Sequence, residues 1–408
     1  MKLMHLSDLH IGRRFAGVSL IDDQRHILTQ VISAAEREKP DAVLLAGDIY
    51  DKPAPSADAV SLFDEFLTEL SACCSHVFVI SGNHDSAERI AFGGRLMGKS
   101  GVYVSPVYGG SLRREILRDE YGPVEIWMLP FIKPAHVRQF DETVDPDDIT
   151  GAVRQALKMA GMDGAPDGAE EWSEAAEPGE EVTSAELREA APAGVVRRVL
   201  IAHQYVTGAQ RSESEETPIG GLDGVDSAVL EGFDYVALGH LHRRQRAGGE
   251  HIRYSGSPIA YSFSEAGDPK CLLMVHLDGR GKTAVREEPL LPLHDIRILS
   301  GSFDELMSAA HGETGRARQA YIRAELTDEE YIPDGIQRLR TVYPNILELA
   351  YPRITSAAGE GAAEEIAAFH TPIEYVEEFF RTMRGREMSR IQRELALEAI
   401  REIWEEES

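Results

Sequence analysis

The chain has 408 residues, of which 43% are hydrophobic, and it carries a formal net charge of −27. This length predicts two or three domains, because single cores rarely grow beyond about 250–300 residues. We expect neither a secretory signal nor a membrane span, since no apolar run approaches the ~20 residues that cross a bilayer. Three cysteines are too few for a disulfide framework, which favours a reducing, cytoplasmic location.

The negative net charge argues against broad, non-specific binding to nucleic acid, but it does not exclude a specific binding site. Residues 160–191 hold ten acids and one arginine, and the rest of the chain still has a net charge of −18. Arginines nevertheless follow two of the motifs described below, and they are either solvated or contacts for phosphates at the rim of a site. These tentative DNA-binding residues are Arg13, Arg14, Arg243 and Arg244.

Apolar runs and amphipathic segments alternate over residues 1–150, a pattern typical of a parallel sheet covered on both faces. Ser56 suits the N-cap of its helix. The predicted elements are strand 3–6, helix 21–38, strand 42–46, helix 56–70, strand 77–80, helix 88–99, strand 124–132 and helix 147–160.

Residues 161–192 are rich in Gly, Ala, Pro and Glu, so we expect a mobile, acidic insertion there. Buried strands follow at 195–202, 233–238, 252–254 and 271–277, and the first domain closes near residue 290. Residues 291–356 read as a small α+β domain with the order strand, helix, strand, helix, strand.

The end of the chain reads as a linker over 357–370 and a helical segment over 371–408. Thr371, Pro372 and Glu374 fit a capping box at the start of that segment. Its apolar stripe either docks onto a partner helix or packs on its own domain.

Polar side chains come directly after the apolar runs. Histidine nitrogen and carboxylate oxygen together suit Mn, Fe or Zn better than Ca. Seven candidate ligands are too many for one ion, but they fit two ions if the Asp48 carboxylate bridges the ions. Asp48 suits that role because its strand is expected between the strands that bear the other ligands. The candidates are Asp8, His10, Asp48, Asn83, His203, His240 and His242.

The first ion would take Asp8, His10, Asp48 and His242, and the second Asp48, Asn83, His203 and His240. Two divalent ions and two aspartates leave a net positive charge that attracts a phosphate. Paired metals about 3.5–4 Å apart turn water into a nucleophile and clamp the phosphate. The motifs therefore predict phosphoester hydrolysis.

Three further residues have predicted roles at this site. His84 is expected to stabilise the transition state and protonate the leaving oxygen. The Asp51 carboxylate is expected to orient His84. Asp85 either caps the following helix or takes part in catalysis.

This constellation, with Gly82-Asn83-His84-Asp85 as its most specific part, resembles the calcineurin-like metallophosphoesterases. Longer stretches such as Ala46-Gly47-Asp48-Ile49-Tyr50-Asp51 and Tyr254-Ser255-Gly256-Ser257-Pro258 are similar to the bacterial SbcD nuclease subunits. The resemblance covers nearly the whole chain. It implies an α/β fold of two packed β-sheets flanked by helices, with a small capping domain over 291–356 that helps to bind DNA and C-terminal helices that dock onto a partner.

The resemblance further implies a manganese-dependent double-strand 3'-5' exonuclease and hairpin or single-strand endonuclease. Such an enzyme serves DNA repair, recombination and replication. It forms a homodimer through the nuclease domain, 1–290, and a heterotetramer with two copies of the SbcC ATPase. The alternatives are a metallophosphoesterase for small phosphodiesters or phosphoproteins, and a scaffold that has lost its chemistry.

Overall fold

A computed structural model describes residues 1–162, 196–212, 214–215, 224–310 and 316–352, with scattered positions between 373 and 397. The predicted insertion lies outside the described residues except for its first two positions, and the linker lies wholly outside them. Most of the helical segment 371–408 also lies outside them, so its predicted docking role stays a prediction.

The strands of the described residues lie, with two short exceptions, in two six-stranded sheets and one three-stranded sheet. In chain order they are β1 (Lys2–Leu6), β2 (Arg14–Phe15), β3 (Val18–Ser19), β4 (Ala42–Ala46), β5 (Val77–Ile80), β6 (Val102–Val104), β7 (Arg113–Asp119), β8 (Gly122–Leu129), β9 (Arg197–His203), β10 (Tyr235–Gly239), β11 (Gln245–Ala247), β12 (Gly249–Tyr254), β13 (Cys271–Leu277), β14 (Thr283–Pro289), β15 (Ile296–Gly301), β16 (Tyr321–Leu326) and β17 (Ile346–Ala350).

The helices of the described residues are mostly short, and the two longest precede β4 and β5. In chain order they are α1 (Ile21–Glu38), α2 (Ala57–Cys73), α3 (Ala87–Ile90), α4 (Gly94–Met97), α5 (Pro134–Arg138), α6 (Ile149–Met159), α7 (Phe303–Ala309), α8 (Arg316–Gln319) and α9 (Gly335–Arg340). None of them is both long and apolar enough to cross a membrane.

The first sheet has the strand order β14-β13-β1-β4-β5-β6, and the second has the order β11-β12-β10-β9-β8-β7. Each contains four parallel strands, namely β1, β4, β5 and β6 in the first and β12, β10, β9 and β8 in the second. The predicted parallel strands are therefore present, and antiparallel strands are added to them at the edges of both sheets.

The main core lies between the two sheets. Leu44 and Phe78 from the first sheet join Met128, Ile201 and Ala237 from the second in one buried cluster. Alternate residues of the second sheet, such as Leu200 and Val236, face the other way and pack with α5 and α6 in another cluster. Because both faces of the central strands are covered, these strands are continuously apolar, as the sequence indicated.

Helix boundaries follow local capping. The structure confirms the helix over 21–38, which ends where Lys39 adopts a left-handed conformation with φ 49°. It also confirms Ser56 as an N-cap, since its hydroxyl accepts the Ala59 N–H. The single helix predicted over 88–99 was wrong, because the chain turns at Gly93, with φ 74°, and forms α3 and α4 instead.

The chain divides into two compact units. The first comprises Met1–Arg297 with Gln319–Tyr321, and the second comprises the described residues within Ile298–Arg318 and Ile322–Ser408. In the second unit, β15, β16 and β17 form a sheet with β16 and β17 parallel. A capping box at Ser302 starts α7, and the predicted alternation of strands and helices over 291–356 is present.

Candidate metal centre

Five strands of the two large sheets end beside one another and carry the candidate ligands. In the first sheet the order β1-β4-β5 places Asp48 between the segments that bear Asp8 and Asn83, as the sequence predicted. The loops are tied together, because the His10 N–H donates to the Asp48 carbonyl at 2.9 Å. In the second sheet β9 ends at His203, and β10 ends one residue before His240.

Asp8, His10 and His242 form the first group of potential ligands, with one donor atom of each residue within 4.8 Å of the others. The Nε2 atoms of His10 and His242 are only 3.1 Å apart. All three residues are at most 2% exposed.

A second group gathers around Asn83. The Oδ1 atom of Asn83 lies 3.1 Å from His203 Nε2 and 2.9 Å from His240 Nδ1. Asp48 joins the two groups, because its Oδ2 atom lies 3.6 Å from His10 Nε2 and 3.3 Å from His203 Nε2. Asp48 therefore lies close to members of both predicted sets, and Asp8, Asp48 and His203 also form a group within 4.8 Å. The division of the ligands between two ions stays a prediction.

The histidine tautomers test whether these residues fit metal ions. His203 Nδ1 donates to the Ala46 carbonyl at 2.8 Å, so in the neutral ring the lone pair is on Nε2, beside Asp48. The Ser214 hydroxyl donates to Glu265 at 2.6 Å and therefore accepts from His242 Nδ1, also at 2.6 Å. In both rings Nε2 points a lone pair into a buried carboxylate site, which is the arrangement that a divalent cation requires.

Burial and charge shift the pKa values at the site. Burial lowers the pKa of His240 to about 3 and raises that of Asp8 to about 6. Burial also lowers the pKa of His203, but the Asp48 carboxylate outweighs it and raises the value to about 9. A cation held at this site would compete with this proton for the His203 Nε2 atom, so binding of the cation would release the proton.

Four of the candidate ligands have positive φ angles, which are uncommon for residues other than glycine. The values are 55° for Asp8, 41° for His10, 50° for Asp48 and 105° for His240. Such conformations cost about 1–3 kcal/mol each and are retained where the surrounding structure imposes them, often at functional sites.

Two glycines are required by close approach. A Cβ atom on Gly82 would overlap the Asp48 carboxylate, and one on Gly239 would overlap the Ala46 carbonyl and the His203 ring. The glycines next to the predicted ligands therefore leave space for the buried side chains themselves.

His84 lies at the edge of the same cluster. Its N–H donates to Asp48 Oδ1 at 2.9 Å, and its ring centroid is 4.8 Å from that of His10. The His84 Nδ1 atom donates to the main-chain carbonyl of Asp51 at 3.1 Å. The prediction that the Asp51 carboxylate orients His84 was wrong, because that carboxylate turns towards Arg13, at 3.1 Å, and His10 Nδ1, at 4.0 Å.

Asp85 has a structural role that the sequence did not indicate. Its carboxylate accepts the N–H groups of Ile49, Tyr50 and Gly82 at 2.9–3.0 Å. Of the two alternatives for Asp85, capping of the next helix was wrong, because the hydroxyl of Ser86 caps it, and a part in catalysis stays a prediction. Asp85 thus joins the loop after β4 to the loop after β5.

The four arginines of the sequence analysis already have partners within the chain. Arg13 pairs with Asp51, Arg243 pairs with Asp268 at 2.8 Å, and Arg244 pairs with Glu287 at 2.9 Å. Arg14 donates to the Gly17 carbonyl at 3.1 Å. Their predicted contact with phosphates stays a prediction.

Sequence reasoning missed a buried polar chain behind His242. Beyond Ser214, the Glu265 carboxylate pairs with Lys270 Nζ at 2.6 Å, with side chains 0% and 7% exposed. Lys270 also donates to the His242 carbonyl at 3.0 Å, and Glu215 accepts the His242 N–H at 2.6 Å. The only available signal was the presence of charged residues in a turn-rich segment, which is also typical of solvated loops.

Comparison with protein families gives two matches. Residues 1–244 match the family model described as calcineurin-like phosphoesterase, and residues 292–384 match the model described as type 5 capsule protein repressor C-terminal domain. A protein of Staphylococcus saprophyticus, named as the D subunit of nuclease SbcCD, is 30% identical over 86% of this chain and 84% of its own length. The chain belongs to the calcineurin-like phosphoesterases, and within them to the SbcD nuclease subunits.

One further relative agrees with this membership. A second relative with the same name, from Staphylococcus epidermidis, is 26% identical over 96% of both chains. A crystal structure of a dimetal phosphatase from Danio rerio covers 71% of this chain and 98% of its own, with 12% identity and a TM-score of 0.37.

Family membership also states the enzyme class. As an SbcD-type calcineurin-like phosphoesterase, the chain is a phosphodiester hydrolase of the nuclease type that depends on divalent metal ions. Its buried Asp and His groups are the residues available to hold them.

Proposed function

We propose that the chain is the manganese-dependent DNA nuclease subunit of an SbcCD complex and hydrolyses phosphodiesters with two metal ions. Its activities are those of a double-strand 3'-5' exonuclease and a hairpin or single-strand endonuclease, and they serve DNA repair, recombination and replication in the cytoplasm. The observation that carries the proposal is the convergence of two ligand sets on Asp48, with His84 beside them.

Asp8, His10 and His242 would hold one ion, Asn83, His203 and His240 the other, and Asp48 would bridge them. Bound there, the ions supply Lewis acidity to the phosphate and lower the pKa of water. The donor set of imidazole nitrogen, carboxylate and one amide suits Mn, Fe or Zn, and we propose Mn among them.

His84 would supply the proton for the leaving oxygen. Because its Nδ1–H donates to the Asp51 carbonyl, the ring is oriented and Nε2 is the atom that exchanges a proton. His84 belongs to a group with His10 and Asp48 whose donor atoms lie within 4.8 Å of one another, so it is close enough to act on a phosphate held at this site.

We further propose a homodimer through the nuclease domain and assembly with two copies of the SbcC ATPase. The segment of α3 and α4 exposes Phe92 by 84% and Leu96 by 74%, and α2 exposes Val60 by 46%. A contiguous exposed apolar patch is typical of a protein interface, and Phe92 and Leu96 lie only four residues apart. The capping domain over 291–356 and the terminal segment 371–408 are proposed to contact DNA and the ATPase respectively.

The first test is cleavage of linear and hairpin duplex DNA by the purified chain with manganese, with magnesium and with chelator. We expect manganese-dependent cleavage that His84→Ala reduces by about 100-fold or more, as removal of a general acid does, while bound metal is unchanged. Equal rates for His84→Ala would remove its assigned role. Hydrolysis of a small chromogenic diester without DNA cleavage, even after the ATPase is added, would contradict the nuclease proposal.

A further inference from the structure

Two aromatic residues leave the second sheet at the edge that carries the metal centre. Phe131 comes two residues after β8, and Tyr205 comes two residues after β9. These strands are parallel neighbours with Leu129 paired to Ala202, so both aromatic residues leave the sheet at the same edge. The ring centroid of Phe131 lies 6.3 Å from that of His203, which places this edge beside the centre.

Each aromatic ring carries a cation. Lys133 Nζ lies 6.0 Å from the centroid of Phe131, and the Arg211 guanidinium lies 3.7 Å from the centroid of Tyr205. Both distances are within the range of cation–π contacts. Each pair therefore places an aromatic ring and a positive charge together, and the Tyr205 ring is partly buried against the core of the second sheet.

Neither cation is neutralised by a carboxylate in the described part of the chain, unlike Arg13, Arg243 and Arg244. Arg211 Nε is buried and has no hydrogen-bond partner among the described residues. A buried donor without a partner costs about 1–3 kcal/mol, and a phosphate bound by the rest of the half-buried guanidinium would offset part of that cost.

The backbone on both sides of Arg211 is fixed against the segment that bears His242. On one side the Gln210 N–H donates to Gln245 Oε1 at 2.7 Å. On the other side the Ser212 N–H donates to Glu215 at 2.9 Å, and Glu215 accepts the His242 N–H. Arg211 is therefore held in place beside the metal centre before any substrate arrives.

We propose that Phe131, Lys133, Tyr205 and Arg211, the aromatic–cation rim, bind single-stranded nucleic acid as it enters the metal centre. The cations contact backbone phosphates, and the rings stack on bases, the combination by which proteins hold single strands without reading their sequence. The inference rests on the proposed function, because it names the form in which the substrate reaches that site. The aromatic–cation rim would also give this acidic chain a local site of positive charge.

The test measures binding of a fluorescent single strand of about 12 nucleotides to the full chain in chelator, where no cleavage occurs. Affinity is followed against salt concentration, because each lost phosphate contact lowers the slope of log K against log salt by about 0.7 for single strands. Lys133→Gln and Arg211→Gln are compared with Arg246→Gln, whose side chain is 59% exposed and pairs with Glu250. Thermal unfolding confirms that each variant is folded.

Stacking is tested with the same strand and with an abasic strand of equal length. Phe131→Leu and Tyr205→Leu are compared with Tyr121→Leu, an aromatic residue 50% exposed at the opposite end of β8. We expect each rim variant to weaken binding of the normal strand by about 5- to 100-fold and binding of the abasic strand much less. The Tyr121 variant should bind both strands as the wild type does.

The outcomes separate this inference from the proposed function. If the wild type cleaves DNA but the rim variants bind the single strand with the wild-type affinity and salt slope, the proposed role of the aromatic–cation rim is wrong and the nuclease proposal stands. If the wild type binds through the rim but cleaves nothing with metal and ATPase, the rim stands and the nuclease proposal fails. If the wild type does not bind the single strand at low salt, the proposed role of the aromatic–cation rim is also wrong.

Discussion

The buried ion pair behind His242 allows a quantitative prediction. Lys270 and Glu265 are 7% and 0% exposed, and Lys270→Met removes the charge while keeping most of the side-chain volume. Glu265 would then be a buried carboxylate without its cation. Breaking such a pair from one side typically costs about 3–5 kcal/mol, so we expect the free energy of unfolding to fall by about that amount.

The same change should weaken metal binding. Lys270 donates to the His242 carbonyl, and Glu265 accepts from the serine that orients the His242 ring. Loss of partners that orient a metal ligand typically costs about 10- to 100-fold in metal affinity. Denaturant unfolding in chelator measures the first effect, and calorimetric titration with manganese measures the second.

Two controls make this prediction refutable. Arg246→Met breaks an ion pair whose side chains are 59% and 70% exposed, and it should cost less than about 1 kcal/mol. The double variant Glu265→Gln with Lys270→Met carries no buried charge and should recover most of the lost stability. If Lys270→Met costs no more than Arg246→Met, the buried chain does not stabilise this site as argued.

The remaining predictions concern the candidate metal ligands and the proposed dimer. Asp48→Ala should reduce bound manganese from about two ions per chain to below one, because both sets share its carboxylate; metal analysis that finds one full ion would contradict the bridge. Gly82→Ala should lower metal content through overlap with Asp48, whereas Gly98→Ala, where a Cβ atom would meet only the far end of Arg113 at 3.6 Å, should not. Phe92→Glu should shift the chain towards monomer in sedimentation, and an unchanged mass would exclude that face as the interface.

Much of the centre was predictable because the strands that precede it are short, continuous apolar runs. The run before Asp48 has five buried residues, and that before Asn83 has four. Polar residues directly after such runs must lie at the carboxyl edge of the sheet, so the ligands could be collected without knowing their geometry. The order β1-β4-β5, which gives Asp48 its central place, followed from the same reasoning.

The errors at Asp51 and Asp85 have a common cause. The turn after β4 brings its main-chain groups into the site, so a carbonyl of Asp51 orients His84, and the N–H groups of Ile49 and Tyr50 bind Asp85. A sequence shows which side chains are available but not the direction of the peptide groups between them. Glu265 and Lys270 escaped notice for a related reason, since they approach His242 from a separate part of the chain.

The charged residues show where composition fails as a guide to binding. Arg243 and Arg244 follow the His242 motif directly and looked like phosphate contacts, yet each is paired with a carboxylate, at 2.8 and 2.9 Å. If Arg243 or Arg244 bound a phosphate, its ion pair would have to break, and the cost of breaking it would offset part of the binding free energy gained. Lys133 and Arg211 stand apart in sequence and attracted no attention, but their contacts within the described chain are with aromatic rings rather than carboxylates. In a chain with a net charge of −27, the cations proposed to contact nucleic acid are those without an acidic partner among the described residues, and only the folded structure distinguishes them.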